Sequence, residues 1–286
     1  VQLRRWLQAV LACVGLPVVF SALALVLPHL HPEPYELFCY RQDLWFFGGD
    51  GTAPLRARLP GVVVAWLQVS YAMFYLVPIA AALGALRCRG PAAFDRTVTI
   101  VTGCFLASYL GYLWWPTLAP KVVLPPAAPF HGDGGALAAQ LAHWIDAGEC
   151  NPRDCMPSGH TMLSLVAVIL IRRHARPLLL PSIVVVVPLV LATILLRYHW
   201  PIDVAVGAAI AWPAVRFCDW LLARDGAAGE DLSGRGRRRC RLRSPRRRWR
   251  SRDGSRTRCP DRRGIPRRSP VWPPVCWPAD PGGTAR

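Results

Sequence analysis

Residues 178–203 read LLLPSIVVVVPLVLATILLRYHWPID. The first nineteen, Leu178–Leu196, carry no charged side chain. About 20 apolar residues are what a helix needs to cross the hydrocarbon of a bilayer. The run then stops on Arg197, Tyr198 and His199, followed by Pro201, which suits a first helical turn, and by the carboxylate of Asp203. One segment therefore reads as a membrane helix and also marks its own polar end as the place to look for chemistry.

Working outward, comparable apolar runs cover Trp6–Leu27, Gly61–Leu86, Thr97–Leu118, Gly159–Ile171 and Val204–Leu222. Gly159–Ile171 is short and opens on Ser158, His160 and Thr161, so hydropathy alone supports it least. Trp6–Leu27 has a rival reading as a cleaved signal peptide, with Arg4 and Arg5 in its leading region. Its apolar stretch is longer than the usual 7–15 residues of such a signal, and it is read as a span. The expectation is an all-α integral membrane bundle of about six transmembrane helices over residues 1–222, with both termini on one side. Charge divides the chain in the same way. Residues 1–222 hold 15 Lys/Arg and 11 Asp/Glu, a net +4, whereas residues 223–286 hold 19 and 6, a net +13. An apolar, nearly neutral body joined to a basic tail excludes a single soluble globule.

Short loops rich in arginine face the cytoplasm. Arg4 and Arg5, then Arg87, Arg89 and Arg96, then Arg172, Arg173 and Arg176 fall on one side, together with the tail. The loops 28–60 and 119–156 mix both signs and are assigned to the outside. A multi-pass protein of the cell membrane with cytoplasmic termini is expected.

Two polar segments stand out from this background, Arg153-Asp154-Cys155-Met156-Pro157-Ser158-Gly159-His160-Thr161 and Arg197-Tyr198-His199-Trp200-Pro201-Ile202-Asp203. Between His160 and His199 there is room for one span inward, the basic turn 172–176 and one span outward. Both imidazoles then return to the outer face. Ser158 is a good N-cap and Gly159 permits close backbone approach, so the helix they open would aim free N–H groups at an anion. His199 and Asp203 are i and i+4, on one helix face. A carboxylate on one ring nitrogen fixes the tautomer and leaves the other as nucleophile or base. Two histidines, an aspartate and nearby cations describe phosphoryl transfer through a phosphohistidine with neither metal nor cofactor. The ten cysteines form no zinc spacing, although Cys150 and Cys155 on the outer side bracket four residues that a small disulfide could close.

Pro157-Ser158-Gly159-His160 followed by His199-x-x-x-Asp203 resembles the second and third signatures of the type-2 phosphatidic acid phosphatase superfamily, six-helix membrane phosphatases and phosphotransferases. The resemblance implies His199 as nucleophile, Asp203 as its orienter, His160 as the acid that protonates the leaving alcohol, and Ser158 and Gly159 as phosphate-binding residues. The superfamily's first signature, Lys-x6-Arg-Pro, is absent, and Ala192 and Thr193 stand where the third usually opens with Ser-Arg. The stretch from Gly111 to Lys121, with Asp154 four residues before Ser158, resembles instead the branch that includes inositol-phosphorylceramide and sphingomyelin synthases. Lys121, Arg153 and Arg197 are then the available phosphate cations, and each also reads as an interfacial charge. A lipid phosphate phosphatase is the default expectation. Its alternatives are a phospholipid head-group transferase and a transporter or scaffold that kept the fold.

Gln68, Tyr71 and Tyr75 share a face of the second run and either line a head-group cavity or pack. Residues 136–147 read as an amphipathic helix on the outer surface. From Ala223 the chain gains Arg, Pro, Gly and Ser and cannot bury a core, so disorder is expected. Binding to anionic lipid heads is its functional reading, and nucleic acid is not an expected partner. An extension without a role is the plainer reading, which the 33 arginines among the chain's 34 basic residues favour.

Overall fold

The computed structural model describes residues 2–33, 35–124, 135–148 and 151–240. The chain divides into two units, Val1–Arg235 and Gly236–Arg286. In the first, the described residues are helical apart from turns, loops and one parallel bridge between Thr117 and Asp154.

Helix α1 (Gln2–Leu30) is followed by the short helices α2 (Glu36–Phe47) and α3 (Ala53–Arg56). The second apolar run is α4 (Gly61–Ala72) and α5 (Leu76–Arg89), joined through a 3-10 turn, Met73–Tyr75. Helix α6 (Pro91–Trp114) starts six residues earlier than hydropathy suggested. Gly90, at φ 86°, takes a backbone conformation that favours glycine, and Pro91 occupies the first helical turn. Pro116 accounts for its end at Trp114. Then come α7 (Pro120–Val123), α8 (Gly135–Gly148), α9 (Gly159–His174), α10 (Leu179–Leu195) and α11 (Pro201–Cys240). Helix α11 runs on past Leu222, and residues 241–286 lie outside the described residues.

Among the described residues, five helical stretches are long and apolar enough to cross a membrane: Trp6–Leu30, Gly61–Arg89, Pro91–Trp114, Arg176–Leu195 and Pro201–Arg224. The fold is an all-α membrane bundle. Helix α9, expected as a further span, has 16 residues and so reaches roughly 24 Å, short of a hydrocarbon core of about 30 Å. It is also the helix most enclosed by protein, packed on α5, α6 and α10 with Met162, Val166, Ala167 and Leu170 fully buried. A helix shielded in this way does not have to match the bilayer's thickness.

The central core joins Leu27 of α1, Ile100 and Cys104 of α6, Met162 and Leu170 of α9, Leu189 of α10 and Val215 of α11. Within lipid, moving an apolar side chain from tails to protein gains little, so close packing holds such helices together. Three glycines make that packing possible beside the polar segments. A Cβ at Gly111 would lie 2.2 Å from Pro157 Cδ, one at Gly159 2.2 Å from the Tyr112 hydroxyl, and one at Gly207 2.6 Å from the Ser158 carbonyl oxygen. At the opposite end of the bundle, Asp219 of α11 pairs with Arg96 of α6 at 2.6 Å and with Arg173 of α9 at 2.7 Å.

Candidate active site

Helices α9 and α11 both begin at the same end of the bundle, and their first turns carry the two polar segments. Ser158 caps α9: its Oγ accepts from the Thr161 N–H at 3.3 Å, and its own N–H donates to the Asp203 carbonyl at 3.1 Å. Trp200 precedes α11, fully buried, with its indole N–H donating to the Leu118 carbonyl at 2.8 Å. The Asp203 carboxylate reaches back one turn and accepts from the Trp200 backbone N–H at 2.9 Å. This is the reciprocal half of a capping box, and it fixes the carboxylate before any chemistry is asked of it.

The two histidines meet. His160 Nδ1 lies 3.1 Å from His199 Nε2. The other nitrogen of His199, Nδ1, is 3.2 Å from the Cys155 carbonyl oxygen and 3.8 Å from Asp203 Oδ2. Two acceptors on that side assign the proton to Nδ1, where it donates to Cys155 O, and leave the Nε2 lone pair facing His160. The His160 ring is held between Tyr71, stacked at 4.7 Å and 21°, and Phe74 at 4.2 Å. His199 is 2% exposed and Asp203 0%, so the pair is desolvated from behind.

A cavity of about 460 Å³ opens above the histidines, lined by His160, His199, Lys121, Tyr71, Tyr198, Asp146 and Asp154 among others. That size falls in the range of small-molecule sites. The three expected cations separate here. Lys121 lines the cavity, 4.2 Å over the Tyr198 ring and 2.7 Å from Asp146 Oδ1. The Arg197 side chain turns instead to Asp50, which it meets through Nε at 3.1 Å and through a second guanidinium nitrogen, while its backbone sits at φ 61°. Burial opposes the Asp50 charge, but hydrogen bonds from Thr52 and Arg197 hold its carboxyl below the usual range. The Arg153 guanidinium binds the carbonyls of His31 and Pro32, the second at 3.4 Å. Ser158 and Gly159 are buried at the start of α9, Gly159 against the Tyr112 hydroxyl.

Tyr71, expected either to line a head-group cavity or to pack, lines the cavity, and Asp146 is the lining residue least evident in the sequence. Asp146 lies near the end of α8, the expected amphipathic helix, and also accepts from the Tyr198 hydroxyl at 3.3 Å. Its polarity in an otherwise apolar turn was its one signal. Tyr71 shared a helix face with Gln68, which is buried, and Tyr75, which is exposed. As for metal, Cys155, His199 and Asp203 offer ligand atoms within 4.8 Å of one another, all buried. They are the sole such group among the described residues. The disulfide weighed for Cys155 falls on Cys150, outside the described residues; Cys155 Sγ lies 3.4 Å from the Tyr198 carbonyl.

A family model described as the PAP2 superfamily matches residues 51–217. The chain belongs to the PAP2 superfamily. The match contains both histidines, Asp203 and every cavity residue named above, and leaves α1 and α2 outside. No curated protein and no solved structure matches the chain. Membership makes this a lipid enzyme of the phosphatase or phosphotransferase type in a membrane.

Proposed function

We propose that the protein is a lipid phosphate phosphatase working through a phosphohistidine on the extracytoplasmic face of the cell membrane. The observation that carries this is the meeting of His160 Nδ1 and His199 Nε2 at 3.1 Å on the floor of a cavity that also holds Lys121. The phosphoryl group of the substrate parts the two rings. His199 Nε2 then attacks phosphorus in line, and the bond to the lipid alkoxide breaks as its oxygen takes a proton from His160. A water next gives a proton to His160 and attacks the phosphorus, breaking the N–P bond and restoring His199. The Cys155 carbonyl holds the Nδ1 proton throughout, and the Asp203 carboxylate beside it stabilises the positive ring. Lys121 and the N–H groups at the start of α9, behind Ser158 and Gly159, meet the phosphoryl oxygens, whose charge is the largest electrostatic demand of such a step. Arg153 and Arg197 support the walls from further out. No step calls for a metal.

A second reading, head-group transfer to another alcohol, draws on Asp146 and Asp154 in the cavity wall. Carboxylates there can accept from the hydroxyls of an acceptor, and the phosphohistidine step is common to both reactions. Purified protein incubated with phosphatidic acid, a prenyl diphosphate and glycerophospholipids separates the two. Release of inorganic phosphate without a new phospholipid supports the phosphatase, a new phospholipid supports transfer, and neither product overturns both.

The sidedness rests on the arginine bias of the short loops and on Arg96 and Arg173 at the bundle end opposite the histidines. We assign residues 1–222 to the catalytic body and 223–286 to a cytoplasmic tail able to bind anionic lipid heads.

A further inference from the structure

Cys39 is fully buried in α2, a helix outside the family match. Its Sγ lies 3.7 Å from Asp203 Oδ1, across 164 residues of sequence. The other oxygen of the same carboxylate is taken by the Trp200 N–H. Around the thiol, Ala119, Cys155, Met156 and Trp200 form one packed cluster. Burial, and then the neighbouring Asp203 carboxylate, push the Cys39 thiol up from its ordinary range, so it carries its proton at neutral pH and is a donor to that oxygen.

We infer that Cys39 is a positioning residue for catalysis: its S–H fixes the free oxygen of Asp203, and through Asp203 the ring of His199. The geometry has a plain physical logic. A carboxylate at an i, i+4 distance from its histidine can rotate about its last bond, and 3.8 Å between Nδ1 and Oδ2 is too long for that contact to hold it alone. With Oδ2 on the Trp200 N–H and Oδ1 on the Cys39 thiol, the plane of the carboxylate is set from both sides. Helix α2 thereby contributes to a reaction whose other named participants all come from the matched region. The inference rests on the His199–Asp203 reading above.

The test is a double-mutant cycle on full-length protein, reading kcat and KM on the substrate that the assay above identifies. Cys39→Ala is expected to lower kcat about tenfold at unchanged KM, the scale of one hydrogen bond to a charged acceptor. Cys39→Ser, which keeps a donor, is expected to stay within about threefold of wild type. In an Asp203→Asn background, Cys39→Ala should change kcat less than about twofold, because the acceptor it positions has already been altered. Cys39→Ala with wild-type kcat overturns the proposal. So does an equal loss in Cys39→Ser, or two losses that multiply in the double variant, since either marks a packing role alone. A His199→Ala variant in the same series separates the two readings. If His199→Ala is as active as wild type, the nucleophile assignment fails; if it is inactive and the cycle shows no coupling, the role of Cys39 alone fails.

Discussion

At the residue scale the division of labour follows from which atoms are already engaged. His199 Nδ1 faces Cys155 O and Asp203, so only Nε2 is available to phosphorus. His199→Ala is expected to lower kcat at least about a hundredfold, about 3 kcal/mol in barrier, with folding intact. Asp203→Asn should lose less, because the Cys155 carbonyl still favours the same tautomer. Steady-state kinetics on both variants checks the order, and the reverse order would contradict it. Asp43 gives a prediction of another kind. Burial, then Asp203 and Asp50, push its carboxyl up to about 7. The folded state thus binds its proton more tightly than the unfolded chain. Its contribution is most favourable below the ordinary carboxylate range and is lost as pH rises toward 7. Asp43→Asn, which cannot charge, should accordingly melt higher than wild type by a margin that grows between pH 4 and 7. Thermal melts in detergent across that range provide the check, and a constant margin would contradict the assignment.

At the element scale the site depends on α9 and α6 lying close enough for the Tyr112 hydroxyl to fill the space above Gly159. Gly159→Ala should force the helices apart, with a loss of about 1–3 kcal/mol in stability and a large loss of activity. Adding Tyr112→Phe, which removes the oxygen in the way, should restore much of both. Melting and turnover on the single and double variants test this. Such a contact shows why part of the site was legible in sequence and part was not. Ser158, His160, His199 and Asp203 were readable because each lies within a short local pattern at the end of an apolar run. The same runs gave the helices, although hydropathy overlooked the punctuation of Gly90 and Pro91 and the 3-10 break at Met73–Tyr75. Cys39, Asp146 and Tyr112 act only through contacts between distant helices, and nothing in their local sequence announces a partner. The three cations could not be ranked beforehand either. Whether an arginine points into a cavity or toward a remote Asp50 depends on tertiary placement.

At the scale of the whole molecule, sidedness decides which lipids the enzyme meets. In a background lacking the ten native cysteines, Gln140→Cys on exposed α8 should react with an impermeant thiol reagent in intact cells. Arg176→Cys, exposed at the other end of the bundle, should react only after the membrane is opened. Reversed labelling would turn the chemistry toward the cytoplasm. Chelation bears on the whole catalytic scheme. Asp146 is already paired with Lys121, and the attack on phosphorus is assigned to an imidazole, so activity in EDTA should stay within about twofold of the untreated enzyme. Loss restored by Mg²⁺ would contradict the scheme. The central claim, a covalent intermediate on His199, is tested most directly by rapid quench with a lipid substrate labelled in its phosphate. Alkaline quench of the full-length enzyme, followed by peptide mapping, should place an acid-labile, base-stable label on His199, present in wild type and absent in His199→Ala. Turnover at wild-type rates by His199→Ala, or a trapped label on any other residue, would contradict it.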